Sequence, residues 1–206
     1  MDKVVKKYNL KDNQQEIDDR RFWQQQSIEY KIEVLESLRE DAIKLGLYPD
    51  QDENQHFEEF FALLNKNKVK YLIVGGYAYA IYAEPRFTKD LDIFVQRDPE
   101  NADRIIKTLH DFGFGSLNLS AEDFLNPDQV IQLGNPPLWI DILTSISGVG
   151  FGEAWNNKIT GKYGSQSVYF IGKDELRKNK EKSGRKSDLE DLDKLDWCGV
   201  GVPLAG

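Results

Sequence analysis

The chain of 206 residues has one cysteine, Cys198, and two histidines, His56 and His110. A single thiol excludes an internal disulfide framework and suits a reducing compartment. Two isolated histidines make no zinc site. Long apolar runs are missing as well, since no segment reaches the roughly 20 apolar residues that a bilayer-spanning helix needs. The polar start "MDKVVKKYNLKDNQQE" lacks the pattern of a signal peptide. These absences lead us to expect a cytoplasmic protein with no membrane partner. Positive charge is also short: 27 Lys and Arg against 35 Asp and Glu leave a net charge of −8. That balance excludes coating nucleic acid by bulk electrostatics, which needs a cationic surface to displace counterions. Any contact with RNA or DNA is expected to be local.

With 40% hydrophobic and 12% aromatic residues, the chain can bury one good core. The first fifteen or so residues are polar and patternless. In "IDDRRFWQQQSIEYKIEVLESLREDAIKLG", Ile28, Ile32, Leu35, Leu38 and Ala42 recur at spacings of three and four, predicting one amphipathic helix that ends near Gly46. "NQHFEEFFALLNKNK" predicts a second helix, with Phe57, Phe60, Phe61 and Leu64 inward and Asn54 as its cap. The pattern then changes to "KYLIVGG", a buried strand stopped by two glycines, and "YAYAIYA", a short helix broken at Pro85. "DLDIFVQ" reads as a strand, "NADRIIKTLHDFGFG" as a helix, and "DQVIQLG" and "LWIDILTS" as strands joined by the turn "NPP". A strand "SVYFIG" and a charged helical tail complete the count. The expected fold is α/β (α+β), a mixed sheet flanked by helices, with an N-terminal helical extension over 1–66, a catalytic domain over 67–196 and a tail over 197–206.

Asp90 and Asp92 are the anomaly, because aspartate is depleted in strands and a buried carboxylate needs a partner or a metal. Two carboxylates at i and i+2 project from the same strand face, and Asp141 sits on a second strand able to converge on them. Magnesium prefers oxygen ligands from one or two carboxylates together with substrate phosphates. Asp90, Asp92 and Asp141 fit a two-ion site in which the first two bridge the ions and the third holds the metal near an attacking hydroxyl or takes its proton. Solvated strand ends, or pairing with Arg86, Lys89 or Arg97, would account for the same residues. Gly75 and Gly76, between strand and helix, would let a phosphate approach backbone N–H groups, though a tight turn uses glycine equally.

The ordered set of apolar strand, Gly-Gly, short helix, "PRFTK" and Asp-Leu-Asp resembles the nucleotidyltransferase superfamily that includes DNA polymerase β, the aminoglycoside nucleotidyltransferases and bacterial abortive-infection toxins of the AbiEii type. "WIDILTSISGVGFGEAWNNK" is similar to the third-carboxylate strand of an AbiEii-like bacterial subgroup. "IGKDELRKNKEKSGRKSDLEDLDKL" is similar to its closing helix pattern, L-x-x-N-K-x-x-x-G-R-x-K-D-L-x-D, with the lysine before Asp188 displaced to Lys186. The likeness runs from about Tyr71 to Leu195. It implies a magnesium-dependent transfer of a nucleoside monophosphate from a triphosphate to a hydroxyl acceptor, which could be a tRNA end, a protein or a small molecule. On this pattern Asp90 and Asp92 bind metal, Asp141 binds metal or acts as base, and Gly75 and Gly76 take the triphosphate. Lys180 becomes a phosphate ligand, and Thr88 and Lys89, with Arg86, steady the triphosphate or form a salt bridge within their turn. The segment "RRFWQQQSIEYKIEVLESLRE" resembles short helical proteins encoded beside such transferases. It points to a fused accessory helix or to a covering extension, and to a helical accessory protein or a second copy as partner. A non-catalytic, antitoxin-like binding protein is the competing reading.

Overall fold

The computed structural model describes residues 14–47, 53–115, 118–135 and 138–195. The first helical stretch is two helices, α1 (Gln14–Gln24) and α2 (Ile28–Lys44), where a single one was expected. Ser27 causes the break: its Oγ accepts the Tyr30 N–H at 3.1 Å, which ends one helix by capping the next. The α2 stripe packs inward as its spacing demands, with Ile32, Leu35 and Ala42 buried and Leu38 left at the rim. α3 (Glu53–Lys66) starts one residue before Asn54, so Asn54 falls inside the helix and not at its cap. Phe57, Phe60, Phe61 and Leu64 form its buried face.

From there the order is β1 (Tyr71–Ile73), α4 (Gly75–Tyr82), β2 (Leu91–Val95), α5 (Pro99–Leu109), β3 (Val130–Asn135), β4 (Leu138–Leu143), α6 (Phe151–Asn156), β5 (Ile159–Tyr163), β6 (Gln166–Phe170), α7 (Lys173–Ser183) and α8 (Lys186–Leu195). α5 is started by Asp98, whose side chain accepts the Asn101 N–H at 2.9 Å, with Pro99 in the first turn. It ends sooner than its sequence pattern suggests, in a π-type turn over His110–Phe114 where Gly113 takes φ 98°. The charged tail is likewise two helices, because Gly184 adopts φ 64° and turns the chain back.

One mixed sheet of six strands runs in the order β3-β4-β2-β1-β6-β5. β2 pairs parallel with β4 and β1 pairs parallel with β6, while β1–β2, β3–β4 and β5–β6 are antiparallel. The fold is thus mixed α/β with helices against the sheet. β5 was not foreseen in "ITGKY": its inward positions are Ile159, Gly161 and Tyr163, and the bare glycine in the middle interrupts the apolar alternation. Gly161 is needed there, since a Cβ would lie 2.7 Å from Ile28 Cγ2 of α2.

α2 and α3 contribute Ile32, Leu35, Phe57, Phe60, Phe61 and Leu64 to the same core as Tyr71, Leu72, Ile73, Ile93 and Phe170 of the sheet. Packing therefore runs unbroken across the expected boundary at residue 66. The 197–206 tail, with Trp197 and Cys198, and the polar first residues lie outside the described residues. Among the described residues no helix is long and apolar enough to cross a membrane.

Because Leu35 is fully buried, Leu35→Ala is expected to lower the unfolding free energy by about 2–5 kcal/mol. Urea denaturation followed by tryptophan fluorescence and by circular dichroism should show one shifted transition. A separate early transition with the main one unmoved would make α2 an appendage.

Candidate active site

The turn from β1 into α4 is built by close approach. Val74 donates its N–H to the Asp92 carbonyl at 3.0 Å, which extends the β1–β2 ladder and lays the turn beside Asp92. Gly75 takes φ 60°, and a Cβ there would sit 2.0 Å from Asp92 Oδ2. A Cβ on buried Gly76 would sit 2.5 Å from Thr88 Oγ1. The two glycines thus make room for Asp92 and Thr88 of this chain. The start of α4 has no side-chain cap, and its first N–H groups have no acceptor within the helix. Both glycines line an open cleft of about 780 Å³ together with Thr88, Asp90, Asp92, Asp141 and Lys180.

Parallel pairing of β2 with β4 sets Asp92 directly opposite Asp141, so both carboxylates leave the same sheet face. Asp90 lies one residue before β2, at its mouth and not inside the strand as the sequence suggested. Burial raises the Asp92 carboxyl to about 6, with Asp141 and then Asp90 adding repulsion. Asp90 is raised from its ordinary value by burial and then by Asp141, against a smaller opposing pull from Lys89 and Arg39 and from the Trp139 backbone N–H. Its Oδ1 is buried with no hydrogen-bond partner. Asp141 Oδ1 accepts the Gln132 side-chain amide of β3 at 2.9 Å, across a direct strand register.

Cations form the facing wall. Arg86 grips Asp191 with Nε at 2.9 Å and Nη2 at 2.7 Å. Lys180 donates to Asp191 at 2.8 Å and to Asp188 at 2.9 Å, and Arg185 Nε reaches Asp188 at 2.8 Å. Arg86, Lys180, Arg185 and Asp188 all line the cleft, and Lys180 and Arg185 pull the Asp92 carboxyl back down in part. Burial pushes Asp188 up, yet hydrogen bonds from Lys180, Ser183 and Arg185 hold it below its ordinary value. The Tyr79 ring of α4 lies 5.1 Å from the Arg86 guanidinium and 5.9 Å from the Lys180 ammonium.

Seven of the eight sequence-derived site residues therefore share one cleft. Lys89 does not join them: it is exposed, lies outside the lining, and acts on Asp90 through its charge. Lys180 differs from a solvated lysine, being 3% exposed and held by two carboxylates. Gln132, Asp128 and Ser145 were missed. The last two join the cleft through a bond from Ser145 Oγ to the Asp128 carboxylate and one from the Asp128 N–H back to Ser145 Oγ at 2.9 Å. They are 17 residues apart, and only the β3–β4 pairing brings them together.

The donor set suits a hard cation in kind: oxygens only, an orphaned buried carboxylate oxygen, and uncompensated negative charge. Among the described residues, however, no three His, Cys, Asp or Glu side chains already stand where one ion could be held. Gln132 bonds only Oδ1 of Asp141, and the carboxylate has a second oxygen with which to join the other two at a cation.

With divalent cations chelated, folded Asp92 keeps a proton that the unfolded chain sheds between pH 3.8 and about 6. The stability from that proton is complete below the lower value and is lost as pH rises through the upper one. Asp92→Asn is expected to be more stable than wild type by about 3 kcal/mol at pH 7 and to lose that advantage as pH falls below 3.8 in urea titrations. A variant less stable than wild type at pH 7 would contradict the crowding. Lys180→Met should cost about 3 kcal/mol, because it strands two buried carboxylates; an unchanged thermal midpoint would show the ion chain to be dispensable.

No family model matches the sequence, and no curated protein matches it. Among solved structures, the chain is similar to an antigenic nucleotidyltransferase-like protein from Paracoccidioides brasiliensis, at 16% identity and a TM-score of 0.43, over 70% of this chain and 76% of that one.

Proposed function

We propose that the chain is a magnesium-dependent nucleotidyltransferase that moves a nucleoside monophosphate from a nucleoside triphosphate to a hydroxyl acceptor. The observation that carries this reading is the crowding of Asp90, Asp92 and Asp141 in one cleft, where burial and mutual repulsion raise two of them and leave Asp90 Oδ1 unpartnered. Such a cluster is costly to maintain unless a cation neutralises it. The motif likeness to the AbiEii-like subgroup supports the same chemistry, with a tRNA end, a protein or a small hydroxylated molecule as acceptor and a toxin–antitoxin setting.

Asp90, Asp92 and Asp141 would hold the magnesium, which when bound supplies charge stabilisation at the attacking and leaving oxygens of phosphoryl transfer. Arg86, Arg185 and the first N–H groups of α4 at Gly75 and Gly76 bind the phosphate oxygens, and Thr88 braces that turn against Gly76. Lys180 keeps Asp188 and Asp191 in place and so aims both arginines. Asp141 takes the proton from the acceptor hydroxyl as its oxygen bonds to the α-phosphorus. The bond from that phosphorus to the bridging oxygen breaks, and pyrophosphate leaves.

A second reading, non-catalytic binding on the same fold, is favoured by the Gln132 amide that ties up one oxygen of Asp141. Incubation with each labelled triphosphate and magnesium, against pools of total RNA, cell protein and aminoglycosides, separates the two. Label should enter one pool with wild type and fall by about 100-fold or more with Asp92→Asn. Calorimetry in which wild type and Asp92→Asn bind magnesium and triphosphate equally would overturn the metal-site reading.

A further inference from the structure

A second cavity, of about 410 Å³, lies on the sheet beyond the carboxylates and shares Ser145 with their cleft. Its walls hold two cations, Lys70 and Arg97, and three aromatic rings, Phe94, Phe151 and Trp155. Among the described residues no acidic side chain lines it, although the chain carries a net charge of −8. Of the nearby acids, Glu153 pairs with Lys178 at 3.0 Å, Asp98 caps α5, and Asp128 accepts a hydrogen bond from the Ser145 hydroxyl. Gln96 and Asn156 add neutral amides to the lining, while the hydroxyls of Thr144 and Ser145 are bonded to Gln129 and Asp128.

The rings form a braced wall. Phe151 meets Trp155 stacked, with centroids 5.6 Å apart, and Phe94 edge-on at 5.1 Å. Lys158 lies 4.1 Å from the Trp155 ring centroid and fixes the indole from outside the cavity. Phe151 and Trp155 stay partly exposed, while Lys70 and Arg97 stand exposed at the rim. Arg97 spends one N–H on the Leu125 carbonyl at 3.3 Å, which orients a guanidinium that has further donors to offer.

Position separates this cavity from the triphosphate end of the cleft. Lys70 precedes β1 and Gly75 follows it, so the two anion-binding features lie at opposite ends of one strand. Along β4 and its extension, Ser145 is four residues beyond Asp141, about 13 Å at strand rise. A ring-bearing anion seated here would lie at the strand end away from Gly75 and leave the other end of the cleft free.

We propose that this cavity binds a nucleotide unit of the acceptor, with the base against Phe151 and Trp155 and the phosphate on Arg97 and Lys70, as single-stranded nucleic acids are held by rings and cations together. As an assignment of the acceptor it rests on the transferase reading given above. As a binding site it stands alone.

The test uses the full chain in chelator, so that metal plays no part, and measures fluorescence anisotropy with a labelled short oligoribonucleotide. An unlabelled nucleoside monophosphate serves as competitor. Wild type and Asp92→Asn should bind alike. Arg97→Gln and Lys70→Gln, exposed substitutions checked by circular dichroism, should each weaken binding about 10-fold and flatten the slope of log affinity against log salt by about 0.7 for each phosphate that is no longer neutralised. Full displacement by the monophosphate points to a single-unit site, and partial displacement to a strand end held at further points; either supports the cavity. Absence of binding, or binding untouched by both substitutions, overturns it. If transfer is observed, the same two variants should raise the KM for the acceptor and leave that for the triphosphate unchanged. Binding without transfer would sink the transferase reading and leave the nucleotide site standing.

Discussion

Parallel pairing of β2 with β4 puts Asp92 beside Asp141 on one sheet face, and the surrounding structure is arranged around tolerating that contact. Like charges at neighbouring strand positions repel, and burial strengthens the repulsion by removing water. Each carboxylate is answered differently. Asp92 lies over the bare Cα of Gly75, Asp141 leans on the Gln132 amide, and Asp90 faces the Trp139 backbone N–H with one oxygen left unmatched. None of these answers supplies a full positive charge. Burial and this crowding push the Asp92 carboxyl up to about 6, and a cation recruited from outside would relieve it.

Full charges sit across the cleft. Arg86, Asp191, Lys180, Asp188 and Arg185 form a continuous chain of ion pairs that joins the loop before β2 to α7 and α8. Its members are not interchangeable. Lys180 is buried and touches both aspartates, so it works as the keystone of the hairpin, whereas the Arg185 side chain is 74% exposed and has donors to spare. A compact ammonium suits the enclosed position and a forked guanidinium the open one. The same chain that ties α7 to α8 therefore carries positive charge to the face opposite the carboxylates, and the cleft acquires two poles.

Much of this was legible in the residues. Helices α2 and α3 follow from their apolar spacing, and the Asp90/Asp92 pair stood out because carboxylates are costly in strands. Asp141 was recognisable as the odd residue in "LWIDIL". Local chemistry decided the misreadings: a serine cap divided α1 from α2, and Gly184 divided α7 from α8. β5 escaped notice because a glycine stands between the isoleucine and the tyrosine of its inward face. Gln132, Asp128 and Ser145 gave no signal, since each matters only through a partner on another strand. Lys180 read as a surface lysine or a phosphate ligand, and burial against two aspartates is a property of the α7–α8 hairpin that no lysine-rich segment announces.

The sequence by itself determined the periodicities, the breaks at glycine and proline, and the acidic residues that needed neutralising, because those depend on near neighbours along the chain. Tertiary structure alone decided which carboxylates meet, that the diglycine makes room for Asp92 and Thr88, that Lys180 is a keystone, and that a ring-lined cationic cavity opens beside Ser145. Strand register and helix packing set those distances, and electrostatic and steric energies depend on distance in space, not on separation along the chain.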